Sequence, residues 1–387
     1  MLKCPAVGRR PAALILGAAA AAILALPGSA LAAPRGAGTV GHVYLDDNPA
    51  GANTVTAFAR HADGSLTALP GSPFAAGGIG TGKALGSQGA VQLAENGRYL
   101  LAVDAASSQI SVLRVKHDGS LRPVQGGPVA SGGVDPVSIA VHGSLVYVVN
   151  GGPGGSNYTG FVLRGGHLRP LAGSTVPLPD GSGPGDVLFN GDGTRLVGVR
   201  VNPSLIDSFR VDGGGRLHAA PGSPFTAQGL GPFGSEFRPT NPSQLFVTNA
   251  HNSGSGTVSA FTDAADGTLS SIGASPFANG QTAPCWLVIS HDGSHLYAVN
   301  TGSGSISSYE IADSGSLTLL GNTPVAATGG VGATDAGLSP DGSFLYVNEN
   351  RVDAVGAFAV HGGSLTELSG SPFPVTPGSS PAGIAVN

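Results

Sequence analysis

The chain is short of the residues that mark most functional classes. Among 387 residues there are two cysteines, one methionine and one tryptophan, and only 11% are charged. Cysteine scarcity excludes a zinc site of the cysteine type. Cys4 lies in an N-terminal segment that is expected to be removed, so Cys285 would stand alone without an intrachain disulfide, leaving core packing and backbone ladders to hold the fold. Eighteen Lys and Arg against 23 Asp and Glu give a net charge of −5, with no basic cluster in the body of the chain. That balance argues against nucleic acid or an anionic membrane surface as partner, and favours a small, weakly charged ligand.

Long apolar runs are also scarce. The one at Ala12 to Leu26 follows Lys3, Arg9 and Arg10 and precedes "ALAA" at 30–33, where Ala30 and Ala32 satisfy the small-x-small cleavage rule. It falls short of the roughly 20 residues that span a bilayer. Residues 1–33 therefore read as an export signal peptide, with no stable membrane insertion after cleavage. The mature protein, residues 34–387, is expected to be secreted, periplasmic or otherwise in the cell envelope, and monomeric. Arg9-Arg10 leaves both the general secretory and the twin-arginine routes open.

What the chain has in abundance is glycine (64) and proline (29), interleaved with apolar runs that bring the hydrophobic share to 41%. Regular spacing of the runs points to many short strands joined by tight turns. One pattern recurs: "HVYLDDN" (42–48), "YLLAVD" (99–104), "LVYVVN" (145–150), "RLVGVR" (195–200), "QLFVTN" (244–249), "HLYAVN" (295–300) and "FLYVNE" (344–349). Each copy is preceded by a short strand such as "CWLVIS", and followed by an alternating strand such as "GSISSYEI", a turn such as "DSGSL" and a segment ending in "GSPF" or a relative. Seven four-stranded units at a period near 50 residues predict an all-β, seven-bladed β-propeller. The first copy lacks its leading strand, while the chain ends in "PAGIAVN" (381–387), a leading strand without a blade. The C-terminal strand is expected to close the ring in the first blade. Asp-Gly and Asn-Gly at 96–97, 192–193, 292–293 and 341–342 are expected to form two-residue hairpins.

The stretches "PDGSFLYV", "DAASSQISVLRVKHDGSL" and "NTGSGSISSYEIADSGSLTLL" resemble the lactonase family of seven-bladed propellers, which includes 6-phosphogluconolactonases and carboxy-muconate cyclising enzymes. The resemblance covers nearly the whole mature chain and implies the propeller fold and a lactone-opening activity. The family's active members carry a Gly-Pro-Arg-His stretch, and an Asn-Glu pair closing the next strand. Here the matching residues are Gly231-Pro232-Phe233-Gly234, then Asn249 with Ala250 in place of the acid. The family's Arg, His and Glu are therefore absent from the matched positions. Export would also separate the protein from a phosphorylated intracellular lactone.

In a propeller the starts of the leading strands and the ends of the second strands meet on one face, here called the upper face. Ala90, Val137, Asp186, Gly234, Trp286, Asp335 and Ala382 are taken as equivalent at the strand starts; Asp104, Asn150, Arg200, Asn249, Asn300 and Glu349 end the second strands, with His251 just beyond. One reading makes this a solvated polar cluster. Asp186, Asp335 and His251 would activate water and Arg200 polarise a carbonyl, with Trp286, Asp104 and Glu349 contacting the ligand. The other reading has the polar residues close local hydrogen bonds, Arg200 pair with a neighbouring Asp, Trp286 plug the channel and Cys285 fill a core position. The carboxylates Asp104, Asp186, Asp335 and Glu349 could hold calcium, although no loop has a calcium-binding spacing, and no cofactor is otherwise expected. Two functions stay open: an exported lactonase-like hydrolase of a small unphosphorylated lactone, and a non-catalytic propeller binding a small ligand or a protein through its upper face.

Overall fold

The computed structural model describes residues 38–251, 255–325 and 332–387. The signal peptide assigned to 1–33 lies outside the described residues. Seven antiparallel sheets follow one another, and each innermost strand touches the innermost strands on either side until the seventh meets the first. This is the predicted seven-bladed propeller. Running along the chain, the inner strands of blades two to seven are Val91–Ala94, Pro136–His142, Pro184–Phe189, Pro232–Arg238, Pro284–Ile289 and Ala333–Leu338. Blades are apolar on both faces because both faces are covered by a neighbour. Tyr44 and Val55 of the first blade pack on Leu100 and Leu113 of the second, and equivalent clusters fill the other interfaces.

Ring closure is as expected. Ile384–Val386 pairs antiparallel with the strand Thr39–Asp46, in the register Val43 to Val386 and Leu45 to Ile384. His42 and Asn387 exchange backbone bonds of 3.1 and 3.0 Å, the Arg60 Nε donates to the Asn387 carbonyl at 3.1 Å, and Ala382 N–H donates to the Asp46 carbonyl at 2.8 Å.

The Asp-Gly turns differ from the two-residue hairpins expected. In the three Asp-Gly turns only the glycine has positive φ (Gly193 70°, Gly293 69°, Gly342 70°), and its N–H bonds to the carbonyl three residues back. Asp contributes through its side chain: Asp292 Oδ1 accepts from Ser294 N and Oγ at 2.9 and 2.7 Å, and Asp192 and Asp341 hold Thr194 and Ser343 in the same way. The recurring unit is therefore Asp-Gly-Ser/Thr, an Asx-turn followed by one left-handed glycine. Only the turn at Asn96-Gly97 places two successive non-glycine residues, Glu95 and Asn96, at positive φ.

The "GSPF" echo has a local cause as well. Its serine hydroxyl receives a backbone N–H of the third strand at the point where the fourth strand leaves it, as in Ser72 to Ala57, Ser223 to Ser208, Ser275 to Ala260 and Ser371 to Ala357. Blade six has no such serine-proline, and its outer strand Leu317–Pro324 runs unbroken.

Candidate active site

The residues that end the second strands form a ring of local pairs. Asp47 Oδ2 accepts from Thr54 Oγ1 at 2.6 Å, Asp104 Oδ2 from Ser111 Oγ at 2.6 Å, Asn150 Nδ2 donates to Asn157 Oδ1 at 2.8 Å, and Asn300 Nδ2 to Ser307 Oγ at 2.8 Å. Each partner lies seven residues further along, on the third strand of the same blade. Asn249 makes the same kind of bond to Ser259 across a longer loop. Arg200 obeys the rule too: its Nε donates to Asp207 Oδ2 at 2.7 Å, its Nη2 to Oδ1, and Asp207 also receives the Tyr158 hydroxyl at 2.8 Å. Glu349 is the exception. Gly356 faces it, both its carboxyl oxygens are buried without a hydrogen-bond partner, and burial pushes its pKa up to about 7.

The chemistry gathers one strand further in, on the channel. A chamber of about 290 Å³ is lined by Asp186, Glu236 and Asp335, with Gln88, Gln92, Ser235 and apolar walls from Ile139, Val141, Leu188, Phe189, Leu287 and Val288; none of its lining residues is Lys, Arg or His. Asp186 Oδ1 accepts from Ser138 Oγ at 3.2 Å, and Oδ2 from Ser235 N and Oγ at 3.0 and 2.8 Å. Burial raises its pKa to about 7 against the pull of those donors. Asp335 takes the N–H groups of Gly89 and Ala336 at 3.3 and 2.9 Å, and burial, aided by the Asp186 charge, brings it to about 7. Glu236 is half-buried and accepts from Ile289 N at 2.9 Å. Burial, then the charges of Asp186 and Asp335, lifts it to about 8. Three carboxyl groups withdrawn from water that feel one another's charge cannot all ionise at neutral pH.

Above the chamber the channel is blocked. The segment 84–89 crosses the axis and bonds to five blades. Ser87 Oγ donates to the Val137 carbonyl at 2.7 Å, Gln88 N to Gly185 at 2.8 Å and Gln88 Nε2 to Ser235 at 3.3 Å; Leu287 N donates to Gln88 Oε1 at 3.1 Å, and Gly89 N reaches Asp335. Trp286 completes the roof. Its indole N–H donates to the Ser87 carbonyl at 2.8 Å, and its ring meets Phe233 edge-on at 4.9 Å.

Of the residues selected from sequence, the structure brings Asp186 and Asp335 together and separates the rest from them. Arg200 does not line the chamber and is tied to Asp207. His251 is half-buried beside Gly231, its pKa lowered by burial, and is not a lining residue either. Asp104 and Glu349 are fully buried within their blades, and Trp286, 5% exposed, is part of the roof. The expected solvated mouth is thus a buried, roofed one, with Asp186 and Asp335 exposed by only 2% and 4%. Cys285 is fully buried and is not a free thiol, contrary to the expectation of an unpaired cysteine; Cys4 lies outside the described residues. Among the described residues no group of three or more His, Cys, Asp or Glu could hold a metal ion, and no helix is long and apolar enough to cross a membrane.

Glu236, Gln88 and Gln92 were not selected from sequence. Glu236 had a readable signal: it is the one acid in the layer that otherwise holds Gln92, Ala140, Leu188, Val288, Gly337 and Ala385, each level with the same position of its second strand. The strand-start alignment was also off by one in two blades. Ser138, opposite Val149, is the counterpart of Asp186, opposite Val199, because a bulge follows the first residue of these strands.

Residues 244–329 match the family model described as "Lactonase, 7-bladed beta-propeller". The match falls on blades five and six of the seven-bladed ring. Solved structures agree over the whole ring. A protein provisionally assigned as a 6-phosphogluconolactonase from Bacteroides uniformis aligns at 20% identity with a TM-score of 0.71, covering 90% of this chain and 99% of that one. A Lactobacillus plantarum protein gives 18% and 0.71, over 90% and 99%. The periplasmic gluconolactonase of Pseudomonas aeruginosa gives 18% and 0.67, over 89% and 98%. At such identities the likeness is one of fold. Comparison with curated protein sequences finds no match. In this propeller the stretch Gly231-Pro232-Phe233-Gly234 opens the inner strand of blade five, and Phe233 packs against the roof tryptophan.

Proposed function

We propose that this protein hydrolyses a small, unphosphorylated lactone, and that the reaction takes place in the axial chamber. The observation that carries this reading is the set of three coupled carboxyl groups, Asp186, Glu236 and Asp335, facing one enclosed space without a cation beside them. Near neutral pH, with pKa values of about 7 for the two aspartates and about 8 for Glu236, one Asp is ionised while Glu236 keeps its proton. That is the division of labour a lactonase needs. The ionised Asp takes a proton from water as the water oxygen bonds to the carbonyl carbon. The ring C–O bond then breaks, and Glu236 protonates the departing alkoxide oxygen, leaving a hydroxy acid. Gln92, half-buried on the wall, supplies an amide donor for the carbonyl oxygen. A phosphorylated or carboxylated substrate would meet acids with no compensating cation.

A panel of lactones, glucono-δ-lactone among them because of the Pseudomonas relative, tests this by acid release. We expect turnover of an uncharged member and a bell-shaped kcat/KM, rising as an Asp ionises near pH 7 and falling as Glu236 ionises near pH 8. Glu236→Gln should lose on the order of 100-fold or more. Turnover that is indifferent to Glu236→Gln, Asp186→Asn and Asp335→Asn would overturn the assignment. We also propose export through residues 1–33. N-terminal sequencing of the protein recovered outside the cytoplasm should begin near Ala33 or Pro34, and an intact Met1 there would refute it.

A further inference from the structure

We infer that the chamber is a one-ended pocket whose entrance lies on the face of the Asp-Gly turns, opposite the face of variable loops. The inference rests on the chamber being the working site. Its first support is a gradient of exposure along the channel. At the upper ends of the inner strands Ser138, Asp186, Trp286 and Asp335 are all buried, whereas further down Gln92, Val141, Leu188, Phe189, Glu236 and Val288 are half-exposed. Because inner strands run from the upper face to the turns, solvent reaches the chamber from below. Its second support is the roof, where segment 84–89 is bonded to blades three to seven and Trp286 fills what remains. A ligand coming from above would have to break that set of bonds together.

An incoming molecule therefore passes an apolar collar that begins at Val141 and Phe189 and ends at Val288, level with Glu236, and meets Asp186 and Asp335 deeper. Val141 and Val288 form two sides of the collar. Phe189 forms a third and is held in place by ring contacts at 6.0 Å with both His142 and Tyr147. The collar has no charged group of its own, so it admits an uncharged ring and sets the width of what can follow. Val141, Phe189 and Val288 are specificity-determining residues on this reading.

Labelling tests the route without requiring turnover. At pH 6.5 a water-soluble carbodiimide adds across the protonated Glu236 carboxyl, glycine ethyl ester displaces the urea to leave an amide, and peptide mass spectrometry reads the site. We expect Glu236 to be labelled in the full mature chain. Val288→Trp and, separately, Val141→Trp should cut that labelling about tenfold and raise KM similarly for any lactone turned over, with kcat little changed. Leu230→Trp and Val134→Trp, at exposed positions on the upper face, should alter neither. The Tm of each variant shows that it is folded, and two collar variants guard against one that is not. No labelling in the wild type, or labelling blocked by the upper-face variants and not by the collar variants, overturns the inference. A protein that hydrolyses no lactone but labels in the expected pattern sinks the proposed reaction and leaves the entrance standing.

Discussion

Arg200 looks like a catalytic cation in one dimension and is half of an ion pair in three. Its partner Asp207 is 3% exposed at the side chain and also carries the Tyr158 hydroxyl. Arg200→Ala would leave that carboxylate buried with one neutral donor, and we expect a loss of about 3 kcal/mol in denaturant unfolding, partly restored by adding Asp207→Asn. Activity lost with stability intact would return Arg200 to the site. The pairing was legible as the second of the two sequence readings, since the partner sits seven residues along as in neighbouring copies. Asp186 and Asp335 stood out because the other copies have small or apolar residues there. What no string of letters displays is that these two aspartates and Glu236, from blades four, seven and five, converge on one axis. Their coupling depends on the curvature of the whole ring.

At the scale of elements, a strand fragment with no blade at one end and a blade with no inner strand at the other made the closure readable. The structure adds what the join is made of: three ladder positions, the exchange between His42 and Asn387, and Arg60 reaching over to the last residue's carbonyl. Deleting residues 381–387 should remove all of these and expose Val43 and Leu45, so we expect Tm to fall by on the order of 10 °C. A truncated chain that melts with the full one would mean that blade one stands without its inner strand. The turns are less legible. Two-residue hairpins were expected at the Asp-Gly pairs, whereas the structure has one left-handed glycine there and an aspartate that accepts from the Ser or Thr after it. Sequence alone does not separate the two turn types, because both favour Asp-Gly.

Over the whole molecule the sparse charges fall into two groups with opposite effects. Exposed turn aspartates have lowered pKa values, as low as about 2 for Asp292, where the hydroxyls of Ser290 and Ser294 and the Ser294 N–H bond to the ionised form. They contribute stability above the usual carboxylate range that is lost as the pH falls towards 2. Buried carboxyls have raised values: about 6 for Asp47 and Asp263, about 7 for Asp186, Asp335 and Glu349, about 8 for Glu236, and upward for Asp46, whose two oxygens are buried without a partner. These groups keep their protons in the fold to about pH 6 to 8, while the unfolded chain would ionise near pH 4. The stability they contribute is therefore complete below that pH, declines as it rises through 6 to 8, and is gone above. The raised set lies in the core, where the folded and unfolded states differ most, so it should dominate the neutral range. Melting followed from pH 3 to 9 should peak near pH 4 to 5 and decline steadily to pH 8. Replacing Asp46 by Asn should flatten part of that decline, because the amide has no charged form to exclude. A maximum at pH 7 or above would mean that the buried carboxyls are ionised in the fold at neutral pH, as Asp263 would be if its ion pair with Arg195 outweighed its burial.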